Sequence, residues 1–378
     1  MQFQEIIGQQ RAKEGILHAI QAGRFPHAML LAERPGTGGL PMALAIAQYL
    51  FCEQPNPTDS CGQCTGCRKV TRMEHPDLHF SYPFIKPEKV KSENLTADFF
   101  TAEFRKFVQA SPYSAVYDWL QVLEAGNKQG NINVAECDNI IRKISFKPFE
   151  GGKKVLILWG ADYLHQEGNR LLKMIEEPPA DTHLIFVSSH PEGILATILS
   201  RVQTVRLPPL TVPELIAGLQ QQGLVEDTRS ASLAAITAEG SFAEAIRLAN
   251  GAEQDLFPDF RNWFNAIFTN KGLVLTAFAE QLSKKGREMI KDFLSYSNHL
   301  LQAALLHHYA PDAPVLLPAE EGDFIRRLAQ HKSIDAERIA ALSESIATAS
   351  HRISGNASSK IVLHGLGIQL SRIVYQTG

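Results

Sequence analysis

The sequence predicts an open α/β fold of the phosphate-loop type, a doubly wound parallel sheet, followed by a small helical segment and an all-helical C-terminal domain. Three observations predict it. Short apolar runs, AMLLA at 28–32, KVLILW at 154–159 and HLIFVSS at 183–189, alternate with amphipathic stretches, as parallel strands covered on both faces require. A loop reading AERPGTGGL at 32–40 lies between the first run and a helix-like PMALAIAQYL, where strand-loop-helix folds hold phosphate. After Pro208-Pro209 no strand pattern recurs, and only helical periodicity remains.

Taken in order, residues 9–22 put Ile16, Leu17 and Ile20 on one helix face and stop at Gly23. The helix after the loop runs to about Phe51, with Pro41 tolerated in its first turn. HPDLHF at 75–80 leads into a strand. Residues 83–130, rich in charge and aromatic side chains, form an inserted, mostly helical excursion, either a surface decoration or a functional arm. NINVAECDNIIRKISFKP at 131–148 reads as a helix with Val134, Ile140 and Ile141 inward, followed by a turn at Gly151-Gly152. A helix from about Gln166 to Glu177 stops at Pro178-Pro179, and TVRL at 204–207 supplies a last strand. Short helices at Val212–Gln222 and Ser241–Ala249 precede longer ones at Arg287–His308 and Ile334–Ile353, separated by a loop around Pro311 and Pro314. The domains expected are 1–208, 209–254 and 255–378.

With 37 Lys and Arg against 40 Asp and Glu, the net charge is −3. The isoelectric point near 6.5 gives no bulk electrostatic footprint for nucleic acid. No basic-then-apolar leader and no membrane-length apolar run occur, so a cytoplasmic location is the default expectation. Four of the five cysteines fall within sixteen residues, which in a reducing compartment favours metal over disulfides.

A working phosphate loop needs G-x-x-x-x-G-K-[ST]: glycines turn amides inward, Lys reaches phosphate and the hydroxyl holds Mg²⁺. Here Glu33 takes the first glycine position, Gly36 and Gly38 remain, Gly39 takes the Lys position and Leu40 the hydroxyl position. The frame survives without its chemistry, a carboxylate stands where phosphate would lie, and no productive ATP binding is expected. The second nucleotide element is missing too: Trp159 and Gly160 stand where acidic residues should follow the strand, and Asp162 reads as a helix cap. The spacing Cys52-x8-Cys61-x2-Cys64-x2-Cys67 suits four thiolates around one structural Zn²⁺ with no position open for water. Cys137 stands apart and reads as core. Arg201 lies in the connection between the last two strands, read as the carboxyl edge of the sheet. On chemistry alone it is a solvated charge or a local ion pair ahead of a finger reaching a neighbour's phosphate.

FQEIIGQ at 3–9, GRFPHAMLL at 23–31, the cysteine module, HPD at 75–77, LLKMIEEPP at 171–179 and LATILSR at 195–201 occur in this order. Together they resemble the bacterial clamp-loader AAA+ subunits of the DNA polymerase III holoenzyme. The resemblance covers residues 1 to about 250, except for the excursion, and extends to the C-terminal helices only by architecture. It implies an AAA+ domain, a helical lid and a collar that joins a hetero-oligomeric ring. Within the family, Gly39, Leu40, the Trp159-Gly160 pair and Ala243 at the sensor-2 arginine position point to the non-hydrolysing delta-prime branch. Ser200-Arg201 aligns with the family's SRC motif, Val202 replacing the cysteine, which makes Arg201 a finger offered in trans. The implied partners are gamma/tau and delta subunits, and through the complex the sliding clamp and primer-template DNA; no membrane is implied. The alternatives are an active gamma/tau-type ATPase with an unusual loop, and a zinc-dependent DNA-binding module, against which the acidic isoelectric point argues.

Overall fold

The computed structural model describes residues 1–378 except 88–93, 125–129, 151, 226–227, 251–255, 312–316, 318, 332–333, 355–356 and 376–378. Gly151 of the expected turn, Pro314 of the expected loop and parts of the 83–130 excursion therefore lie outside the described residues. The chain divides into two compact units, Met1–Asn250 and Gly251–Gly378.

In the first unit, α1 (Gln10–Gln21) leads into β1 (Ala28–Ala32), the loop and α2 (Gly39–Leu50). Helix α3 (Thr65–Thr71) closes the cysteine segment, and β2 (Leu78–Ser81) follows. The excursion supplies α4 (Thr101–Ala110) and α5 (Val116–Val122). Then come α6 (Val134–Ser145), β3 (Lys154–Trp159), α7 (Leu172–Glu176), β4 (Thr182–Ser188), α8 (Ala196–Leu199) and β5 (Gln203–Arg206). All pairings in the five-stranded sheet are parallel, in the order β2-β3-β4-β1-β5.

Strand alternation sorts the side chains into two cores. Leu30, Leu156, Leu158, Leu184 and Phe186 face one layer with Ile140, Ile144 and Ile175. Met29, Leu31, Val155, Ile157, Ile185 and Val187 face the other, where the wholly buried α2 lies. At about 1.5–3 kcal/mol per buried large side chain, such a two-faced sheet holds only when both layers are present. The excursion belongs to the second layer: Trp119 is fully buried, donates from Nε1 to Pro83 O at 2.8 Å and packs edge-on against Tyr82 and Phe104. It is a wall of the core rather than a surface decoration.

Four local expectations need correction. Val134 is exposed, because it opens α6 beside the cap Asn133; Ile140 is buried and Ile141 partly so. The helix expected at 166–177 is mostly a tight 3-10 stretch, Ala161–Leu171, broken at His165 with φ 45°, and only Leu172–Glu176 is α-helical. Gly168 and Asn169 are poor helix formers, and Gly168 packs too closely on Ile198 to carry a side chain. Asp162 is not a cap; that position is Gly160, and Asp162 instead accepts from Ser188 Oγ at 2.6 Å. Lastly, Gln203 pairs near the start of β1, beside Met29, so Arg201 sits at the amino edge of the sheet, not the carboxyl edge. After Ser188 the chain runs back along the sheet through α8 before β5 begins.

Helices α9 (Val212–Gln221), α10 (Thr228–Thr237) and α11 (Phe242–Ala249) complete the unit. A reciprocal cap, Thr211 with Glu214, opens α9. Their core of Leu215, Leu219, Ala231, Phe242 and Ala245 includes Ile7 and Tyr113 from the sheet portion.

The second unit is helical: α12 (Leu256–Phe268), α13 (Gly272–Ser283), α14 (Arg287–Tyr309), α15 (Ala319–Ala329), α16 (Ala336–Ser354) and α17 (Ser359–Tyr375). Phe260, Trp263, Phe264, Phe293, Leu301, Ile339, Ile346 and Leu370 form its core. Among the described residues, no helix is long and apolar enough to cross a membrane.

Candidate functional site

The loop after β1 keeps the backbone that glycine allows, with φ 79° at Gly36 and 110° at Gly38. Glu33 folds back into it. Its Oε2 accepts from Gly39 N at 2.6 Å and from Thr37 Oγ1 at 3.2 Å, and the amides of Gly38 and Thr37 also face it. Part of the side chain reaches solvent, whereas the carboxyl group itself is enclosed. Burial outweighs these donors and pushes its pKa up to about 7.

The space around the loop is filled. A Cβ on Gly39 would lie 2.5 Å from Glu33 Oε1 and 2.7 Å from Val187 Cγ1. Leu40 points into the core, 2% exposed, where the metal-binding hydroxyl would stand. The turn before α11 covers the loop: Phe242 N donates to Gly36 O at 2.8 Å, and a Cβ on Gly36 would meet Ser241 Oγ at 2.3 Å and the Ala243 methyl at 2.8 Å. Tyr113 forms a side wall, 3.1 Å from a Cβ built on Gly38; its hydroxyl accepts from Ile7 N at 2.8 Å and its ring meets Phe242 edge-on. Trp159, at the end of β3, is 3% exposed and packs on Phe104 and Phe107.

The sulfurs of Cys52, Cys61, Cys64 and Cys67 lie within 4.8 Å of one another, with Cys61 and Cys67 3.9 Å apart. A tetrahedral ion with Zn–S bonds of about 2.3 Å needs S–S edges of about 3.8 Å. The set therefore fits one ion after a small contraction. Amides of Cys61, Cys64 and Cys67 donate to Cys52, Cys61 and Cys64 Sγ at 3.2, 3.3 and 3.4 Å, orienting the sulfurs inward. Burial pushes the Cys52 and Cys67 thiols up, while the Gln63 and Cys64 amides pull Cys61 down to about 6. A divalent cation would let all four be thiolates together. Asp59 ties the module to the N-terminus, accepting from Phe3 N and Gln4 N at 3.0 and 2.9 Å. Cys137 is buried and remote from this cluster.

Arg201 lies just beyond α8, its guanidinium partly exposed. Nε pairs with Glu176 Oε1, and Nη1 donates to Thr197 O at 2.9 Å and Ser200 Oγ at 3.1 Å. Among the described residues nothing accepts from Nη2, so the guanidinium is anchored through Nε and Nη1 alone. Sequence reasoning singled out Ser200 and Arg201 but not Glu176, the ion-pair partner of Arg201, whose only signal was an acidic pair before Pro178. It also missed the cover over the loop, which comes from residues 113 and 241–243.

A family model described as DNA polymerase III, delta subunit, matches residues 8–211. The chain belongs to that family. The match takes in the sheet, the loop, the cysteine module and Arg201. Among delta-subunit relatives, the delta' subunit of Escherichia coli K12 is 29% identical over 240 residues, covering 63% of this chain and 59% of that protein. The delta' subunit of Bacillus subtilis 168 is 26% identical over 248 residues, covering 65% and 60%. The tau subunit of Escherichia coli K12 is 23% identical over 255 residues, covering 66% and 33%. The alignments thus span about 60% of the delta' relatives' own length.

Proposed function

We propose that this chain is a delta-prime subunit of a replicative clamp loader: it does not hydrolyse ATP itself and supports a neighbour that does. The single observation that carries the reading is the contrast between two charges. Glu33 consumes the loop's donors internally, while Arg201 keeps donors turned outward. In the ring, residues 1–208 serve as the AAA+ domain, 209–254 as the lid and 255–378 as the collar, with gamma/tau and delta subunits as neighbours in the cytoplasm. The guanidinium of Arg201 reaches the adjacent subunit's nucleotide and neutralises the charge that builds on the transferred phosphoryl group, so that ATP-driven clamp opening on primed DNA proceeds. Ser200 and Thr197 hold it there. The four cysteines hold a structural zinc that fixes residues 52–67 beside the N-terminus; one zinc per chain, lost in Cys64→Ser together with thermal stability, is the expected result of metal analysis.

Two measurements test the reading. Calorimetry should detect no binding of Mg-ATP by the purified chain at millimolar nucleotide. Arg201→Ala should assemble normally and depress the ATPase of the reconstituted loader. Unchanged turnover removes the finger.

A further inference from the structure

We propose that Glu33 is the ligand of its own phosphate loop: its carboxylate occupies the oxyanion seat, and Gly39 is glycine because that carboxylate fills the space a longer side chain would need. The inference rests on the silent-subunit reading and names the residue that enforces it.

The loop meets Glu33 as it would meet a phosphate oxygen. Gly39 N, at the start of the twelve-residue α2, donates to Oε2 at 2.6 Å. Thr37 Oγ1 lies 3.2 Å from the same oxygen, sharing its proton with Arg34 O at 3.0 Å. A helix N-terminus offers unpaired amides to an acceptor oxygen, and Glu33 supplies that oxygen covalently. The two altered positions are also sterically reciprocal. A Cβ at residue 39 would stand 2.5 Å from Glu33 Oε1 and 2.7 Å from Val187 Cγ1, so a side chain there needs Glu33 to swing out and Val187 to give a little. Replacing Gly39 alone therefore cannot restore the motif, and the carboxylate must leave first. An external phosphate faces the same order of events: it has to displace a tethered competitor whose effective concentration is far above that of any free ion.

The test uses the full purified chain with pyrophosphate as probe, read by calorimetry and by melting temperature. Glu33→Gly should bind pyrophosphate at least tenfold more tightly than the unaltered chain and gain melting temperature with the ligand, whereas the unaltered chain shows neither. Gly39→Lys should lower the melting temperature when Glu33 is present and cost much less in the Glu33→Gly background. If Glu33→Gly does not fold, Glu33→Ala carries the same measurements. A folded variant that binds pyrophosphate no better than the unaltered chain overturns the inference, as does a Gly39→Lys cost that is the same in both backgrounds. Tight Mg-ATP binding by the unaltered chain would overturn the silent-subunit reading itself. Silence in both chains overturns only the role given to Glu33.

Discussion

The loop at 33–40 and the turn at 196–202 each hold an ionisable side chain, Glu33 and Arg201, at an edge of the same sheet, and they treat it in opposite ways. At the carboxyl end of β1 the carboxyl group of Glu33 is drawn in to accept from Gly39 N and Thr37 Oγ1. At the amino end of β5 the guanidinium of Arg201 is tied on one side, to Glu176, Thr197 and Ser200, and left open on the other. A set of donors closed on itself contributes to the fold; a set anchored on one side is suited to a partner. On the proposed reading, that difference puts the chain's action outside its own loop.

The largest effect should come from exchanging the two losses. Arg201→Ala is expected to lower the reconstituted loader's turnover by about 10³-fold, as removal of such fingers does elsewhere, and to leave this chain's melting temperature nearly unchanged. Glu33→Ala should do the reverse. If both variants moved turnover alike, the contrast would dissolve.

Next in size is the pH dependence of the loop. Glu33 is raised from 4.5 to about 7 in the fold, so the native state holds its proton more firmly than the unfolded chain does. Its contribution is fully present below pH 4.5 and is lost as pH rises through about 7, amounting to about 3 kcal/mol from the difference of the two values. Denaturant titrations across that window should show the loss in the unaltered chain relative to Glu33→Gln. Parallel curves would mean the carboxyl group is better solvated than its enclosure indicates. The smallest effect belongs to Glu176→Ala: a surface ion pair of this kind contributes under about 1 kcal/mol. Melting temperature should barely move, while turnover of the assembled loader falls less than tenfold because Arg201 loses one anchor.

The fold was legible where the signal is local. Apolar runs gave the three central strands, β1, β3 and β4, and the amphipathic periods gave the long helices, because burial on two faces or one leaves a repeat in the chain. The losses at Glu33, Gly39, Leu40 and Trp159 could also be read, since each replaces a group whose chemistry is known. What Glu33 does instead was not legible. Repulsion of phosphate was the expectation; its bonding to Gly39 N depends on a backbone path that only the folded loop defines. Tyr113 and Phe242 were invisible as loop neighbours because 129 residues separate them from each other. The edge carrying Arg201 was misread for a related reason: α8 returns along the sheet, and connection length alone does not reveal direction.

The cover over the loop has a consequence for the order in which the protein is made. Phe242, which donates to Gly36 O, follows it by 206 residues. At about 5–20 residues per second, roughly ten to forty seconds of synthesis separate the two. During that interval the loop's amides face water and the nucleotides dissolved in it. Glu33 is made with the loop, four to six residues from its donors, and is at hand whenever the loop takes its folded path. The tethered competitor is therefore made before the cover.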